Sequence, residues 1–428
     1  MQDESRSVTP LRQRRVEGPR ITRLETVTPA HVMPGLMLLR VHTDAGSVDG
    51  VPVVGHGETY YLSSAVAAVI HDWMSRRLLG ADATAIESHW RFLYERAMAF
   101  GGQGAELRAL SAIDLALWDI FGQLLRQPIW RLLGGPVRDR VPVYNSCGGP
   151  MYGVSRRDAP RVEGWPGHGD PGAPGELEDN WASMHAPGDL AEELLAAGFR
   201  AMKLWSFDAV YRRSGGLRLE PADVREGVAP FLAIRERVGD AIDVMLDGHG
   251  FFALAAARQI ERAMREVKPL WLEDVLRTDN LATISQFRRD SECPLAVSEM
   301  LITREQYRQA LELQAAEYVM IDPTWVGGIS ETRRIAELAQ LYNVPVLMHD
   351  CTGPLTLLAG LQIAMANAGV TYQECVRAHL PTLYPQLIDE PIAAVDGAIE
   401  PPRRSGIGAR WHESLFTADD PSYRCSEL

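Results

Sequence analysis

From Val141 onward the chain is written in short apolar runs, each closed by a polar or charged residue and followed by an amphipathic stretch of helix length. The runs are VPVYNS, FRAMKLW, IDVMLDGH, PLWLEDV, PLAVSEM, AEYVMID, VPVLMHD and VTYQEC. Six of the closing residues, Asp247, Glu273, Glu299, Asp322, His349 and Glu374, follow one another at intervals of 23 to 27 residues. A strand, a short loop, a helix and a return loop occupy a segment of that length. In FALAAARQIERAMREV the residues Ala257, Ile260, Met264 and Val267 share one helical face. Strand-helix units repeating at one length predict an α/β fold, a parallel sheet closed as a (β/α) barrel of the TIM type with seven or eight units, over residues 141–380.

The text before the barrel has a different period. Residues 21–140 read as a separate α+β unit: a strand in GLMLLRVHTDAG, a glycine-bearing stretch VVGHGETYY, then helices. The last helical stretch, SAIDLALWDIFGQLLRQPIWRLLGG, repeats Ile113, Leu117, Ile120 and Leu124 on one face and is expected to stop at Gly134-Gly135 before Pro136. The polar leader, 1–20, carries the basic RQRR but no apolar core of a signal peptide, and reads as a frayed, disordered tail. Residues 381–428 form a segment after the barrel.

A barrel of this kind opens the C-terminal ends of all its strands onto one mouth. Residues about 25 apart in the chain then meet in space. One charged residue at a strand end is commonly just a chain re-entering water; six in phase need a further cause. Asp247, Glu273 and Glu299 come from three adjacent runs, and three carboxylates in one mouth repel unless a cation neutralises them or they pair with basic residues. Lys203 is one of few cations at the strand ends. An all-oxygen set with room for water and substrate suits Mg²⁺, with Mn²⁺ as its common substitute, and suits Zn²⁺ less well.

Composition narrows the partners. The 428 residues are 46% hydrophobic and 23% charged, with a formal net charge of −13, which argues against nucleic-acid and anionic-membrane surfaces. No run of 18 apolar residues occurs to span a membrane. The five cysteines form no CxxC pair and no disulfide-like cluster, so a reducing, cytoplasmic setting is expected.

These motifs together resemble the enolase superfamily and, within it, the mandelate racemase-like subgroup. The resemblance runs from about Ile21 to Arg410 and rests on ALWDIFGQLLRQPIWRLLGG, on LDGH, LEDV and VSEM, and on MIDPTWVGGISE followed by MHD. It implies a barrel capped by the N-terminal α+β unit together with the C-terminal segment, and an essential Mg²⁺ held by Asp247, Glu273 and Glu299. It further implies removal of the proton α to a carboxylate to give a metal-stabilised enediolate, on a small-molecule substrate, in a homo-oligomer.

Each remaining site residue gains an expected role. His349 is the candidate base, with Asp322 on the neighbouring strand accepting its second N–H; a structural histidine is the plainer reading. Lys203 adds a cation, and Glu374 matches the position that binds the substrate carboxylate as a protonated acid. Racemases of the subgroup carry Lys-x-Lys where this chain reads Lys203-Leu204-Trp205, and tryptophan has no basic atom. Sugar-acid dehydratases of the subgroup share the Asp-x-His-Gly pattern of Asp247 to Gly250, which makes His249 the general acid for a departing β-hydroxyl; a histidine that only orients the metal ligand is the alternative.

The expected reaction is dehydration of an aldonate or aldarate to a 2-keto-3-deoxy acid. An epimerase or cycloisomerase on the same intermediate, and a non-catalytic carboxylate-binding barrel, are the rivals. The insert at 148–188, rich in Gly, Pro and charge, reads as a lid or an oligomer contact; Tyr152, Arg157, His168 and His185 are its candidates to reach substrate, and for each of them a mobile surface loop with no catalytic role is the stronger reading. Trp205, Asn145, His56, Tyr60 and Tyr152 are the candidate substrate contacts.

Overall fold

The antiparallel part of the chain is built first. In a computed structural model, which describes residues 18–152, 173–350 and 352–428, β1 (Ile21–Val27), β2 (Leu36–Val48) and β3 (Val51–Tyr60) form a meander. Asp49 and Gly50 both have positive φ, 53° and 79°, the two-residue turn that matches strand twist between Val48 and Val51. On β3, Gly55 and Gly57 face the helix Ala105–Leu125, where a Cβ would strike the carbonyl oxygens of Ala116 and Ala112. The glycines of VVGHGETYY are thus packing residues.

That helix buries Ile113, Leu117 and Ile120, as the periodicity predicts. It does not run on to Gly134. Arg126 turns left-handed at φ 55°, and a separate short helix, Ile129–Leu132, starts after Pro128. Proline has no N–H to continue the ladder and pushes the preceding residue out of helical geometry.

All eight apolar runs become strands: β4 (Val141–Ser146), β5 (Ala201–Leu204), β6 (Asp243–Asp247), β7 (Trp271–Glu273), β8 (Leu295–Val297), β9 (Tyr318–Ile321), β10 (Val346–Met348) and β11 (Val370–Cys375). They are parallel in chain order, and β11 pairs with β4 to close the barrel. Tyr144, Ala201, Met245, Trp271, Ala296, Met320 and Leu347 point inward as one packed cluster, with Tyr372 against it. One residue per strand therefore fills the barrel interior. Because side chains alternate, the next inward residue on each strand lies two positions on, at the mouth.

The end of the chain returns to both units. After the barrel, β12 (Ala394–Val395) and β13 (Ala398–Ile399) form a hairpin whose second strand pairs antiparallel with β4. Finally β14 (Arg424–Glu427) adds to the free edge of β1. The leader read as a tail lies outside the described residues up to position 17; Gly18 and Arg20 are held against Asp82. Among the described residues no helix is long and apolar enough to cross a membrane.

Buried acids join the two units. Asp114, on the helix Ala105–Leu125, accepts from Ser330 N (2.9 Å) and Oγ (2.6 Å) at the start of the helix that follows β9. Gly327 and Gly328 there have φ of 112° and 87°, and a side chain at Gly328 would strike Asp114. The WVGGIS motif is the seat for this contact.

Glu25 ties β1 to β2 and to the chain end, accepting from Arg40 Nε (2.9 Å), His42 Nε2 (2.6 Å) and Tyr423 Oη (2.7 Å). Burial alone would raise its pKa, but His42, Tyr423 and Arg40 outweigh that and hold it at about 2. A folded pKa below the unfolded one adds stability above the unfolded value and loses it as pH falls through the folded one. Glu25→Gln should therefore cost about 3 kcal/mol at neutral pH. The gap to the parent should close as pH falls from about 4.5 to about 2. Thermal unfolding of both proteins across that range checks this, and a gap independent of pH would contradict it.

Candidate active site

Two positions beyond the inward cluster stand Ser146, Lys203, Asp247, Glu273, Asp322, His349 and Glu374, all buried. Glu299 breaks the pattern. β8 ends at Val297, the Ser298 hydroxyl donates to Asp274 Oδ2 (2.6 Å), and the next residue turns in. The mouth is a cavity lined by Asp247, His249, Glu299, His349 and Glu374, with the aromatic rings of Tyr61, Tyr152, Trp205 and Trp325.

Lys203 is the hub of one side. Its Nζ lies 2.7 Å from Glu273 Oε1, 2.9 Å from Glu374 Oε1 and 3.6 Å from Asp247 Oδ2. Burial works against its charge, but Glu273 and Glu374 outweigh that and push its pKa well up. Glu273 is pushed well above the carboxylate range by burial and by the charges of Asp247, Glu374 and Glu299, against Lys203. Glu374 behaves oppositely. Burial would raise it, but Lys203 and His349 hold it below the usual range, and it also accepts from Ser146 Oγ and from Asp350 N (3.2 Å).

The other side presents two histidines. His349 Nδ1 lies 2.8 Å from Asp322 Oδ2, and its Nε2 stands 3.7 Å from Glu299 Oε1 and 3.8 Å from Glu374 Oε2. Thr324 donates to Asp322 Oδ1 through both N and Oγ1, each at 2.7 Å, fixing the carboxylate. His249 Nδ1 lies 3.1 Å from Asp208 Oδ1, and its Nε2 lies 3.4 Å from Asp247 Oδ2. Burial would lower the pKa of His249, but Asp208 and Asp247 outweigh it and raise it to about 10. Both carboxylates favour the imidazolium.

Strand alternation does not bring His249 to the mouth. β6 ends at Asp247, and His249 sits in a left-handed turn, φ 50°, with its N–H on Asp247 Oδ1 (2.9 Å). Gly248 lets that turn approach β7's exit, because a Cβ there would lie 2.8 Å from Val275 Cα. Gly248→Ala should cost about 1–3 kcal/mol by overpacking. A lowered melting temperature checks this, and an unchanged one would contradict the contact.

Trp205 does reach the mouth, stacked on Tyr152 at 4.6 Å and tilted over His249 at 6.0 Å. Its indole Nε1 is buried with no hydrogen-bond partner. Two expectations are corrected. Asn145 lies one position off the inward parity, and its side chain faces outward, donating to Asp179 Oδ2 (2.9 Å) and accepting from Arg377 N (2.9 Å). His56 is buried behind the site with Nδ1 toward Trp411 N (3.4 Å), because its neighbours Gly55 and Gly57 turn the opposite face to the helix. From the same stretch Tyr61, next to the expected Tyr60, lines the cavity.

Arg157 and His168 lie outside the described residues. His185 ends a helix, Asp179–His185, stacked on Trp181 and away from the cavity lining. Sequence reasoning missed Ser146, which the same parity marks from Tyr144, and Asp208, which opens a helix just after Trp205 with no local sign of its partner. Among the described residues no three His, Cys, Asp or Glu side chains stand in a ready coordination geometry.

Comparison with known proteins assigns the architecture. Residues 187–415 match the family described as "Enolase C-terminal domain-like", and residues 8–134 match "Mandelate racemase / muconate lactonizing enzyme, N-terminal domain". The chain belongs to the enolase superfamily. A D-galactonate dehydratase of Ralstonia nicotianae is 29% identical over 403 residues, 92% of this chain and 93% of its own length. A D-galactonate dehydratase family member of Streptomyces bingchenggensis is 29% identical over 357 residues, 82% of each chain. Among solved structures, an enolase of the mandelate racemase subgroup from Agrobacterium tumefaciens superposes with a TM-score of 0.80 at 32% identity, covering 95% of this chain and 99% of its own. An enolase protein from the environmental genome shotgun sequencing of the Sargasso Sea gives 0.81 at 31% identity, covering 96% and 99%.

Proposed function

We propose that this enolase-superfamily chain is a sugar-acid dehydratase dependent on a divalent cation. The observation that carries the reading is the pair of histidines on one cavity. Each has its Nδ1 engaged by an aspartate, and each turns Nε2 toward the mouth, one as a base beside Asp322 and one favoured as the imidazolium beside Asp208. In dehydration the first removes the α-proton. The second gives its proton to the β-hydroxyl as the C–O bond breaks, and water leaves. The resulting enol takes a proton at C3 and becomes a 2-keto-3-deoxy acid.

The residues present fit a hard divalent cation. Asp247 and Glu273 end consecutive strands and Glu299 follows the next one, all three as buried oxygen donors; Glu299 Oε2 has no hydrogen-bond partner, and Glu273 is pushed up by burial and by its like-charged neighbours. Mg²⁺, or Mn²⁺, held by these three would supply Lewis-acid stabilisation of charge on the substrate carboxylate. Lys203 adds fixed positive charge beside it, pinned by Glu273 and Glu374. A pinned ammonium with tryptophan at 205 makes a poor second base, which disfavours racemisation. A binding-only barrel has no need of the Asp322–His349 pair. The D-galactonate dehydratases among the relatives support a six-carbon aldonate as the first substrate to try.

The test is a screen of the Mg²⁺-loaded protein against a library of aldonates and aldarates, D-galactonate included, with detection of 2-keto-3-deoxy acids. Formation of one such product is expected. A C2 epimer with no keto acid would replace dehydration by epimerisation.

A further inference from the structure

The proposed base is wired to the capping unit through an unbroken line of buried oxygens. Asp322 Oδ1 accepts from Thr324 Oγ1 at 2.7 Å; Thr324 Oγ1 lies 3.2 Å from Thr356 Oγ1; Thr356 Oγ1 lies 2.6 Å from Glu58 Oε1. Glu58 belongs to β3 of the antiparallel unit, whereas Thr356 lies in the helix that follows β10, the strand presenting His349. Asp322, Thr324, Thr356 and Glu58 are all fully buried. The room for Glu58 is made by Gly353, where a Cβ would lie 2.5 Å from Oε1 and 2.7 Å from Oε2.

Counting protons along this line decides the state of Glu58. The three contacts Glu58–Thr356, Thr356–Thr324 and Thr324–Asp322 each require one hydrogen, and each threonine hydroxyl owns only one. If Glu58 and Asp322 were both ionised, one contact would set two lone pairs face to face. One of the two acids must then carry a proton; Asp322 already accepts from Thr324 N and faces His349 Nδ1, so the proton falls to Glu58, with Glu58 donating to Thr356, Thr356 to Thr324 and Thr324 to Asp322. The Thr356 N–H, 2.6 Å away, still donates to Glu58 Oε1. The surroundings agree with this count. Glu58 Oε2 has no partner. The titratable groups that act on Glu58 or feel its charge include Asp322, Asp350 and Tyr384. Burial, with Asp322 adding to it, raises Glu58 to about 7 against the donors Thr356 and Leu355.

We propose that Glu58 is a positioning acid: as a neutral carboxyl delivered by the capping unit, it turns the Thr356 and Thr324 hydroxyls onto Asp322 and thereby holds His349 as the Nδ1–H tautomer that leaves Nε2 as the base. The inference rests on the proposed role of His349. The base is then complete only when β3 is seated on the barrel, so the two units share one active site although Glu58 touches no substrate.

The variants Glu58→Gln and Glu58→Met separate donor from charge. Glutamine can donate N–H in the same sense as the acid and should retain most of kcat. Methionine fills the space without donating and should lower kcat about 10- to 100-fold, with KM nearly unchanged. If Glu58→Met does not fold, Thr356→Val cuts the same line from the barrel side and should show the same split.

Two readouts need no turnover. At pH 6 the infrared difference between the parent and Glu58→Gln should contain a protonated-carboxyl C=O band. The Nδ1–H proton resonance of His349, assigned with His349→Asn, should stay in place in Glu58→Gln and shift or broaden in Glu58→Met. Only carboxylate bands at pH 6, or an unmoved His349 resonance in both Glu58→Met and Thr356→Val, would overturn the inference. So would a Glu58→Gln variant as impaired as Glu58→Met. Should no sugar acid be turned over, the proposed function fails while these spectra still decide the role of Glu58.

Discussion

Replacing His349 by Asn should abolish removal of the α-proton. Asparagine keeps a donor for Asp322 Oδ2, now 2.8 Å from the ring nitrogen, but offers no basic atom where Nε2 stands between Glu299 and Glu374. A positioned general base is worth about 10²–10⁴ in rate. Because no other side chain among the described residues lining the cavity sets a basic nitrogen at that position, a loss near the upper end is expected, about 5 kcal/mol of barrier. The measurement is loss of the C2 proton signal of a sugar acid in D₂O. Exchange persisting at the parent's rate would remove His349 from the role of base.

His249→Gln should split the reaction in two. Glutamine can fill the turn at φ 50° and reach Asp208, but it has no acidic proton to give to a leaving hydroxide. Expulsion of hydroxide without a proton is a far harder step, so keto-acid formation should fall about 10²–10⁴-fold. Removal of the α-proton should continue within a few-fold, and appear as deuterium at C2 of recovered substrate. The double variant with His349→Asn should lose that exchange as well. Equal loss of exchange and elimination in His249→Gln alone would instead make His249 a support for Asp247, 3.4 Å away.

The barrel and most of its mouth are legible in the sequence because strand alternation is strict. Lys203, Asp247, Glu273, Asp322, His349 and Glu374 each stand two residues past an inward side chain of the packed interior. Where that rule is followed through, it also finds Ser146 and rejects Asn145. Where the strand stops, the rule stops with it: Glu299 and His249 reach the mouth through turns whose geometry depends on Ser298 and Gly248 meeting the neighbouring strand's exit. Contacts between the two units leave even less local trace. Glu58 meets Thr356 across 298 residues and Asp114 meets Ser330 across 216, and nothing in the spacing around either acid marks its partner. The glycines opposite them, Gly353 and Gly328, look like ordinary loop residues until the acid that needs the space is in view.

The central claim is that α-proton removal by His349 leads to loss of the β-hydroxyl. Proton NMR of the Mg²⁺-loaded protein turning over its best sugar acid in D₂O tests it most directly. The account predicts a 2-keto-3-deoxy acid with a single deuterium at C3, since the C2 proton is lost and the enol is quenched by solvent. Recovery of only undehydrated sugar acid, with deuterium at C2 and the hydroxyl at C3 intact, would contradict it.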